Sequence, residues 1–439
     1  MKKSLLEQAK NVLDNNFQLG GFTIPSKGLY PFQWKWDSGF ISIGYAHYDI
    51  DKAKKEITSI LSAQWKNGFI PHIVFHNESD TYFPGPEVHM SHLSPNCPKE
   101  VKSSGITQPP VFGFVLEKIY EIVDDKDNFL DFIKEVIDKV YKNHLYFYKN
   151  RDIYNEGLVY IYHNWESGTD NSPIWDGIWE KIDCPEYQFE RKDTTHVDPS
   201  QRPSKREYDH YINLIEIAKK FNYDDKAIAE NSPFLVQDPL FNSILIKSNE
   251  SLINLYKIIG NEEKKIETLT KFLRKSIEGI NNKLFDDKLG SYVYYDLRNK
   301  EKISLISSSS FSPLFCGAPD KSLSKKLIET LIEKFGDENK YLCASFDTTS
   351  DKFNPKKYWR GPIWVNLNWI IYLGLKRYNE TKLADRIKKD TVDLISNLGF
   401  YEYFEPFKNK KMKGYGGNNF SWTAALCIDL ISEKNNELS

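Results

Sequence analysis

Asp127-Asn-Phe-Leu-Asp-Phe-Ile-Lys-Glu-Val-Ile-Asp-Lys-Val-Tyr-Lys-Asn-His-Leu-Tyr-Phe-Tyr148 carries apolar side chains at Ile133, Ile137, Val140, Tyr141 and Leu145. Steps of three and four gather them on one stripe of an α-helix and leave the charged residues opposite. Upstream, residues 51–65 place Ile57, Leu61 and Trp65 four apart in the same way. Similar periods run through 3–13, 36–47, 108–123, 206–221, 239–259, 262–280, 321–335, 362–378, 380–396 and 420–432. About a dozen helices are therefore expected. Strand signal is sparse: residues 158–162 alternate, and 292–295 ahead of Arg298-Asn-Lys300 read as one arm of a hairpin. Without β-α-β-α alternation, neither a TIM barrel nor a Rossmann sheet is expected, and an all-α fold is.

Spread over 439 residues, a dozen helices leave long connections, and such loops commonly carry function. The longest polar one, 184–205, includes Tyr187, Phe189 and His196, which predict an ordered loop over a site instead of a linker. The 59 Lys and Arg nearly cancel the 61 Asp and Glu, which argues against a nucleic-acid partner. No apolar run reaches the roughly 18 residues that cross a bilayer, and only Leu5-Leu6 precede Glu7 where an export signal needs a longer apolar core. Five scattered cysteines without a C-x-x-C predict neither a disulfide framework nor a zinc site. A cytoplasmic protein with no membrane contact and no cofactor is expected; its oligomeric state is not legible.

Four segments concentrate aromatics, carboxylates and Gly/Pro turns: Tyr30-Pro-Phe-Gln-Trp-Lys-Trp-Asp-Ser-Gly-Phe40, Asn164-Trp-Glu-Ser-Gly-Thr-Asp-Asn-Ser-Pro-Ile-Trp-Asp176, Tyr358-Trp-Arg-Gly-Pro-Ile-Trp-Val-Asn366, and Phe400-Tyr-Glu-Tyr-Phe-Glu-Pro406 with the Gly414-Tyr-Gly-Gly417 and Phe420-Ser-Trp-Thr423 that follow. They and their flanks hold nine of the ten Trp, all but Trp65, which suggests one aromatic pocket drawn from distant parts of the chain. In the first segment Asp37 or Ser38 is expected to cap a helix, and in the third Pro362 to begin one. A pyranose packs its apolar face on such rings, offers its hydroxyls to carboxylates and amides, and needs two carboxyls for cleavage of its acetal. Composition alone does not choose the pair.

In this order F-Q-W-K-W-D-S, S-S-G-I-T-Q-P-P (Ser103 to Pro110), W-E-S-G-T-D-N-S-P-I-W-D, Y-W-R-G-P-I-W and F-S-W-T-A-A-L resemble the glycoside hydrolase family of mannosyl-oligosaccharide glucosidase. Tyr82-Phe-Pro-Gly-Pro86 and the compact length look most like its small glucosylglycerate and mannosylglycerate hydrolases. The resemblance implies an (α/α)6 barrel, a toroid with long loops and a minor β-hairpin component. It implies one catalytic domain over 1–439, with loops 70–106 and 184–205 covering the active site. It makes Asp170 the general acid and Glu402 the general base of an inverting hydrolysis, with Glu405 as Glu402's nearest competitor. Trp36, Asp37, Gln108 and Trp364 are then expected to hold the sugar, and Tyr82, Tyr358, Trp359 and Arg360 to narrow the site. Arg202 with Tyr208 would take a glycerate carboxylate. After Glu402 the sequence departs from the subgroup: Lys408-Asn-Lys-Lys-Met-Lys413 precedes the glycines expected directly behind the base.

The expected partner is thus a small α-glucoside or α-mannoside, glucosylglycerate and mannosylglycerate among the candidates. A trehalase-like α-glucosidase of neutral oligosaccharides, a lyase on the same toroid and a non-catalytic sugar-binding protein are the alternatives. His72, His76, His89 and His92 lie close together, but no H-E-x-x-H occurs and Pro71 spoils a helix, so structural or sugar-contacting histidines are expected in preference to metal ligands.

Overall fold

The structure, a computed structural model, describes residues 4–409 and 412–433. Twelve helices of eleven residues or more are described, numbered here as α1 Leu5–Asn16, α2 Lys35–Ala46, α3 Ile50–Ser62, α4 Phe112–Ile122, α5 Lys126–Asn150, α6 Lys205–Lys220, α7 Pro239–Ile259, α8 Glu263–Gly279, α9 Lys321–Phe335, α10 Val365–Arg377, α11 Thr381–Leu398 and α12 Ser421–Ser432. Each overlaps one expected helix, although Lys3, where α1 was expected to begin, lies outside the described residues.

Burial sorts them into two rings. In α2 eleven of twelve residues are buried, because K-W-D-S-G-F-I-S-I-G-Y-A is, apart from Lys35 and Asp37, apolar or small all round. In α8 only Leu269 and Ser276 are buried, and its charged side chains face outward. Around the inner ring α2 packs on α4, α4 on α7, α7 on the short turn Pro313–Cys316, that turn on α10, α10 on α12, and α12 back on α2. Among the outer elements, α1 backs α12, α3 backs α2, α5 backs α4, α8 backs α7 and α11 backs α10. The fold is an α/α barrel, as the resemblance implied.

Three local expectations are corrected. The helix count was right for a partly wrong reason: α6 lies outside the ring, in the long excursion between α5 and α7, where its Tyr208, Tyr211, Ile212 and Ile215 enter a second core with Trp165, Trp175 and Trp179. The sixth inner position belongs to the short turns Ser308–Phe311 and Pro313–Cys316, whose serines, Pro313 and Gly317 carry no helical period. Nor does either Asp37 or Ser38 cap α2. The helix begins at Lys35 after the short strand Gln33–Trp34, so Asp37 falls in its first turn and keeps its carboxylate for other work. Pro362 likewise stays outside α10, in an extended stretch where Ile363 bridges Phe404 and Ala344.

The expected strands are present but small. Tyr160–Ile161, Val236–Gln237, Tyr294–Asp296 and Glu301–Ile303 form one antiparallel sheet, and the hairpin pairs Tyr295 with Lys302 around the Arg298-Asn-Lys300 turn. A second hairpin pairs Tyr403 with Tyr415 and Phe404 with Gly414.

Candidate active site

The N-terminal ends of α2, α4, α10 and α12 open on one side of the ring into a cavity of about 690 Å³, counting the solvent-open space at its mouth. All eleven residues singled out from the sequence line it: Asp170 and Glu402, the four expected sugar contacts, the three aromatics expected to narrow it, and Arg202 with Tyr208. The long excursions contribute His72 and Tyr82 from 70–106, and Asp193 and Arg202 from 184–205. Arg360 is the exception among the residues discussed. Its guanidinium turns from the cavity onto Asp176, with nitrogen–oxygen distances of 2.8 and 2.7 Å, and also donates to the Asn171 carbonyl. Since Asn171 Oδ1 accepts the Trp359 amide at 2.9 Å, the loop bearing Asp170 is clamped to the wall bearing Tyr358 and Trp359.

The first motif alternates between cavity and core. Trp34, Trp36 and Asp37 face the cavity. Gln33 and Ser38 turn to the buried Glu56, at 3.0 and 2.6 Å, while the Lys35 ammonium donates to Thr107 Oγ1 and the Gln108 carbonyl, both at 2.9 Å. Lys35 thereby fixes Gln108, whose own Oε1 accepts the Trp36 amide. Gly168 has φ +74°, and a Cβ there would meet the Trp36 ring at 2.4 Å; only glycine lets the Asp170 loop pass this close to the cavity floor. Stacking extends the floor, with Trp359 on Trp364 at 3.7 Å and Trp364 on Tyr403 at 4.7 Å between ring centroids.

The two carboxyls sit in different surroundings. Asp170 is half-buried, open to the cavity and otherwise enclosed. Burial, outweighing the nearby Arg202 and reinforced by the charge of Glu402, pushes it up to about 7. Glu402 is buried, accepts from Tyr30 Oη at 2.8 Å and from the Gly417 amide at 3.0 Å, and has Arg202 Nη1 at 3.7 Å. Burial raises it too, opposed first by Arg202 and then by those donors. Gly416, at φ +70°, allows the close approach: a Cβ there would lie 2.2 Å from Glu402 Oε2. So the glycine-rich turn does stand behind Glu402, delivered by the hairpin of Tyr403–Phe404 with Gly414–Tyr415. Of the departing segment, Lys410 and Lys411 lie outside the described residues. Glu405 is not part of the lining; its carboxylate accepts from Tyr415 Oη at 3.1 Å.

Sequence reasoning missed the partners of Arg202. Its Nε donates to Asp193 at 3.1 Å, its Nη2 donates to Tyr30 Oη at 3.0 Å, and its plane lies over the Tyr358 ring at 4.1 Å. Arg191 grips the same carboxylate of Asp193 at 3.0 and 2.6 Å. Nη1 is buried without a hydrogen-bond partner, as is Trp422 Nε1 on the same cavity. Tyr30, Trp165 and Trp422 stand inside the quoted motifs, so their signal was present; Asp193 stands in a charged run with nothing to mark it.

Among the described residues no helix is long and apolar enough to cross a membrane. The mannosylglycerate hydrolase MGH1-like glycoside hydrolase domain matches residues 30–423. A mannosylglycerate hydrolase of Rubrobacter radiotolerans is 37% identical over 439 residues, covering 98% of this chain and 97% of that protein. A glucosylglycerate hydrolase of Mycolicibacterium hassiacum is 33% identical over 446 residues, covering 97% of each. The crystal structure of a GH63 mannosylglycerate hydrolase from Thermus thermophilus, in complex with Tris and D-glycerate, superposes with a TM-score of 0.90 at 37% identity, covering 98% of this chain and all of that one.

Proposed function

From the premise that this chain belongs to the MGH1-like glycoside hydrolase family, we propose that it hydrolyses the α-glycosidic bond of a glycoside of glycerate, mannosylglycerate or glucosylglycerate. The family makes it an inverting α-glycoside hydrolase. The acidic aglycone is supported by one observation above all: a buried guanidinium, with one nitrogen free of hydrogen bonds, beside two carboxyls in an aromatic cavity. With Nε and Nη2 already engaged, the remaining nitrogen suits one oxygen of a carboxylate, a charge-assisted acceptor.

In this reading Asp170 is the general acid. Its raised affinity for the proton keeps it protonated near neutrality, ready to give that proton to the glycosidic oxygen as the bond to the anomeric carbon breaks. Glu402 is the general base. Held as a carboxylate by Tyr30, Gly417 and Arg202, it takes a proton from a water that attacks the anomeric carbon from the opposite face. Room for that water calls for carboxyls about 6.5–9.5 Å apart. Trp36, Asp37, Gln108 and Trp364 hold the ring; Tyr82, Tyr358 and Trp359 narrow the entrance; Arg202 and Tyr208 hold the aglycone. Residues 1–439 work as one catalytic unit, with 70–106 and 184–205 as its cover. A cytoplasmic setting is supported by five free, buried cysteines.

The test follows the reaction by NMR on α-mannosyl- and α-glucosylglycerate beside neutral disaccharides such as trehalose. The β-anomer of the released sugar is expected first. Intact glycerate glycosides beside a cleaved neutral disaccharide would refute the aglycone assignment. Near wild-type turnover in Asp170→Asn or Glu402→Gln would refute the roles of the carboxyls.

A further inference from the structure

Arg202 touches both halves of the reaction. Through Nη2 and the Tyr30 hydroxyl it is one hydrogen bond removed from Glu402 Oε1, at 3.0 and then 2.8 Å, and Nη1 lies 3.7 Å from the same oxygen. Its positive charge also reaches Asp170 across the cavity. The nitrogen nearest the base is therefore the one left without a hydrogen-bond partner. An anion docking on Nη1 adds a negative charge beside Arg202 and offsets part of the charge that Arg202 directs at both carboxyls.

We propose that Arg202 couples the charge of the leaving group to catalysis: an acidic aglycone on Nη1 shifts the working pH range of Asp170 and Glu402 upward together, so its carboxylate counts in turnover as well as in affinity. The inference rests on the reading that Arg202 receives the aglycone. The sign is the same at both groups. Arg202 favours the ionised form of Asp170 and of Glu402, so offsetting its charge favours the protonated form of each. Asp170 then keeps its proton to higher pH, and Glu402 becomes the stronger base. The other charged or titratable groups facing Arg202, Glu402 and Asp170 are Asp193 and Arg191 from the covering loop, Tyr82 from the other cover, Asp37 from α2, Tyr208 and Tyr211 from α6, Tyr30, Tyr358 from the clamped wall and Tyr403 from the hairpin. Burial holds the tyrosines neutral, and Asp193 is spanned by two arginines, so these groups stay fixed while the aglycone changes; Asp37, raised by burial and by the charges of Glu402 and Asp170, is present alike for both substrates.

Two substrates differing only in charge read the coupling: a glycosylglycerate, and the glycosylglycerol whose hydroxymethyl replaces the carboxylate. The pH profile of kcat/KM reports the free enzyme and should show the same two limbs for both. That of kcat reports the bound enzyme, and both limbs should lie about half to one pH unit higher for the acidic substrate. Above the optimum this is a kcat advantage of about three- to tenfold. In Arg202→Met the two kcat profiles should coincide. Calorimetry on the wild-type protein keeps the test independent of that variant: D-glycerate titrated at pH 7 in two buffers of different ionisation enthalpy should bind with uptake of a fraction of a proton, and glycerol with none. Coincident wild-type kcat profiles, with the difference confined to KM, overturn the coupling and leave Arg202 as the aglycone's anchor, as does glycerate binding without proton uptake. If the acidic substrate has no advantage in kcat/KM and Arg202→Met changes neither substrate, the reading of Arg202 fails and the coupling with it.

Discussion

Tyr30→Phe removes one oxygen atom and nothing else from the surroundings of Glu402. That oxygen donates to Glu402 at 2.8 Å and accepts from Arg202 at 3.0 Å, both within the buried interior. A hydrogen bond to a charged group contributes about 1.5–3 kcal/mol, which at about 1.36 kcal/mol per pH unit equals roughly one to two units of proton affinity. Gly417 still donates to the carboxylate, and Arg202, losing its acceptor, can close the 3.7 Å gap to Glu402, so the lower figure of about one unit applies. The sign follows from the donor's preference for the ionised carboxylate: without it Glu402 protonates more readily, and the acid limb of kcat/KM moves up. Where that limb has unit slope, kcat/KM drops about tenfold. The alkaline limb, carried by Asp170 at about 7, stays in place. The assay is the full pH profile of kcat/KM for both proteins on the same glycerate glycoside, with thermal melts to compare stability. An activity loss uniform in pH, with the acid limb unmoved, would refute either the tuning by Tyr30 or the assignment of Glu402 as base.

Arg360→Met should lower kcat about tenfold with a smaller change in KM, by loosening the Asp170 loop from the Trp359 wall. Arg360→Lys should recover little, since one ammonium does not span both oxygens of Asp176; unchanged kcat in either variant contradicts the clamp. Glu405→Gln should stay within about twofold of wild type, as its carboxylate lies off the cavity; a large loss would make Glu405 the base. Asp170→Asn should stabilise the substrate-free protein at pH 8 and not at pH 4. The folded carboxyl, at about 7 against an ordinary 3.8, destabilises the fold progressively as pH rises between those values and by a constant amount above. Allowing for cavity water, the gain at pH 8 is about 1–3 kcal/mol, and melts at the two pH values check it.

The helices were legible because amphipathic stripes such as that of α5 are local, and they reappear within a few residues. Which helices form the ring was not local information. α6 has as good a period as any, yet it belongs to the second core, while Ser308–Cys316 has no period and still fills a ring position, bounded by Pro313 and Gly317. The site was legible as motifs, and all eleven residues drawn from them line one cavity. The ion-paired frame around Arg202 was not, because its contacts span distances unrelated to spacing: nine residues to Asp193, 172 to Tyr30. Arg360 shows the reverse error, since a motif position alone does not reveal which way a long side chain points. Asp37 was expected to cap a helix as one of its roles, and the earlier start of α2 frees it for the cavity.

The ring closes where α12 meets α2, and the hydrogen bond from Tyr30 to Glu402 joins residues 372 positions apart. Chain order therefore governs when the enzyme exists. At about 5–20 residues per second, a ribosome needs roughly 20 to 75 s to go from the end of α2 to the start of α12. During that interval α2, buried on nearly every side in the finished ring, has no α12 to cover it. A nascent chain truncated anywhere before Phe420 lacks the last stave of the barrel, and even one that contains Glu402 has no fixed site to put it in. Circular permutation that joins the two ends and opens the ring at an outer loop would place α12 and α2 side by side from the start of synthesis.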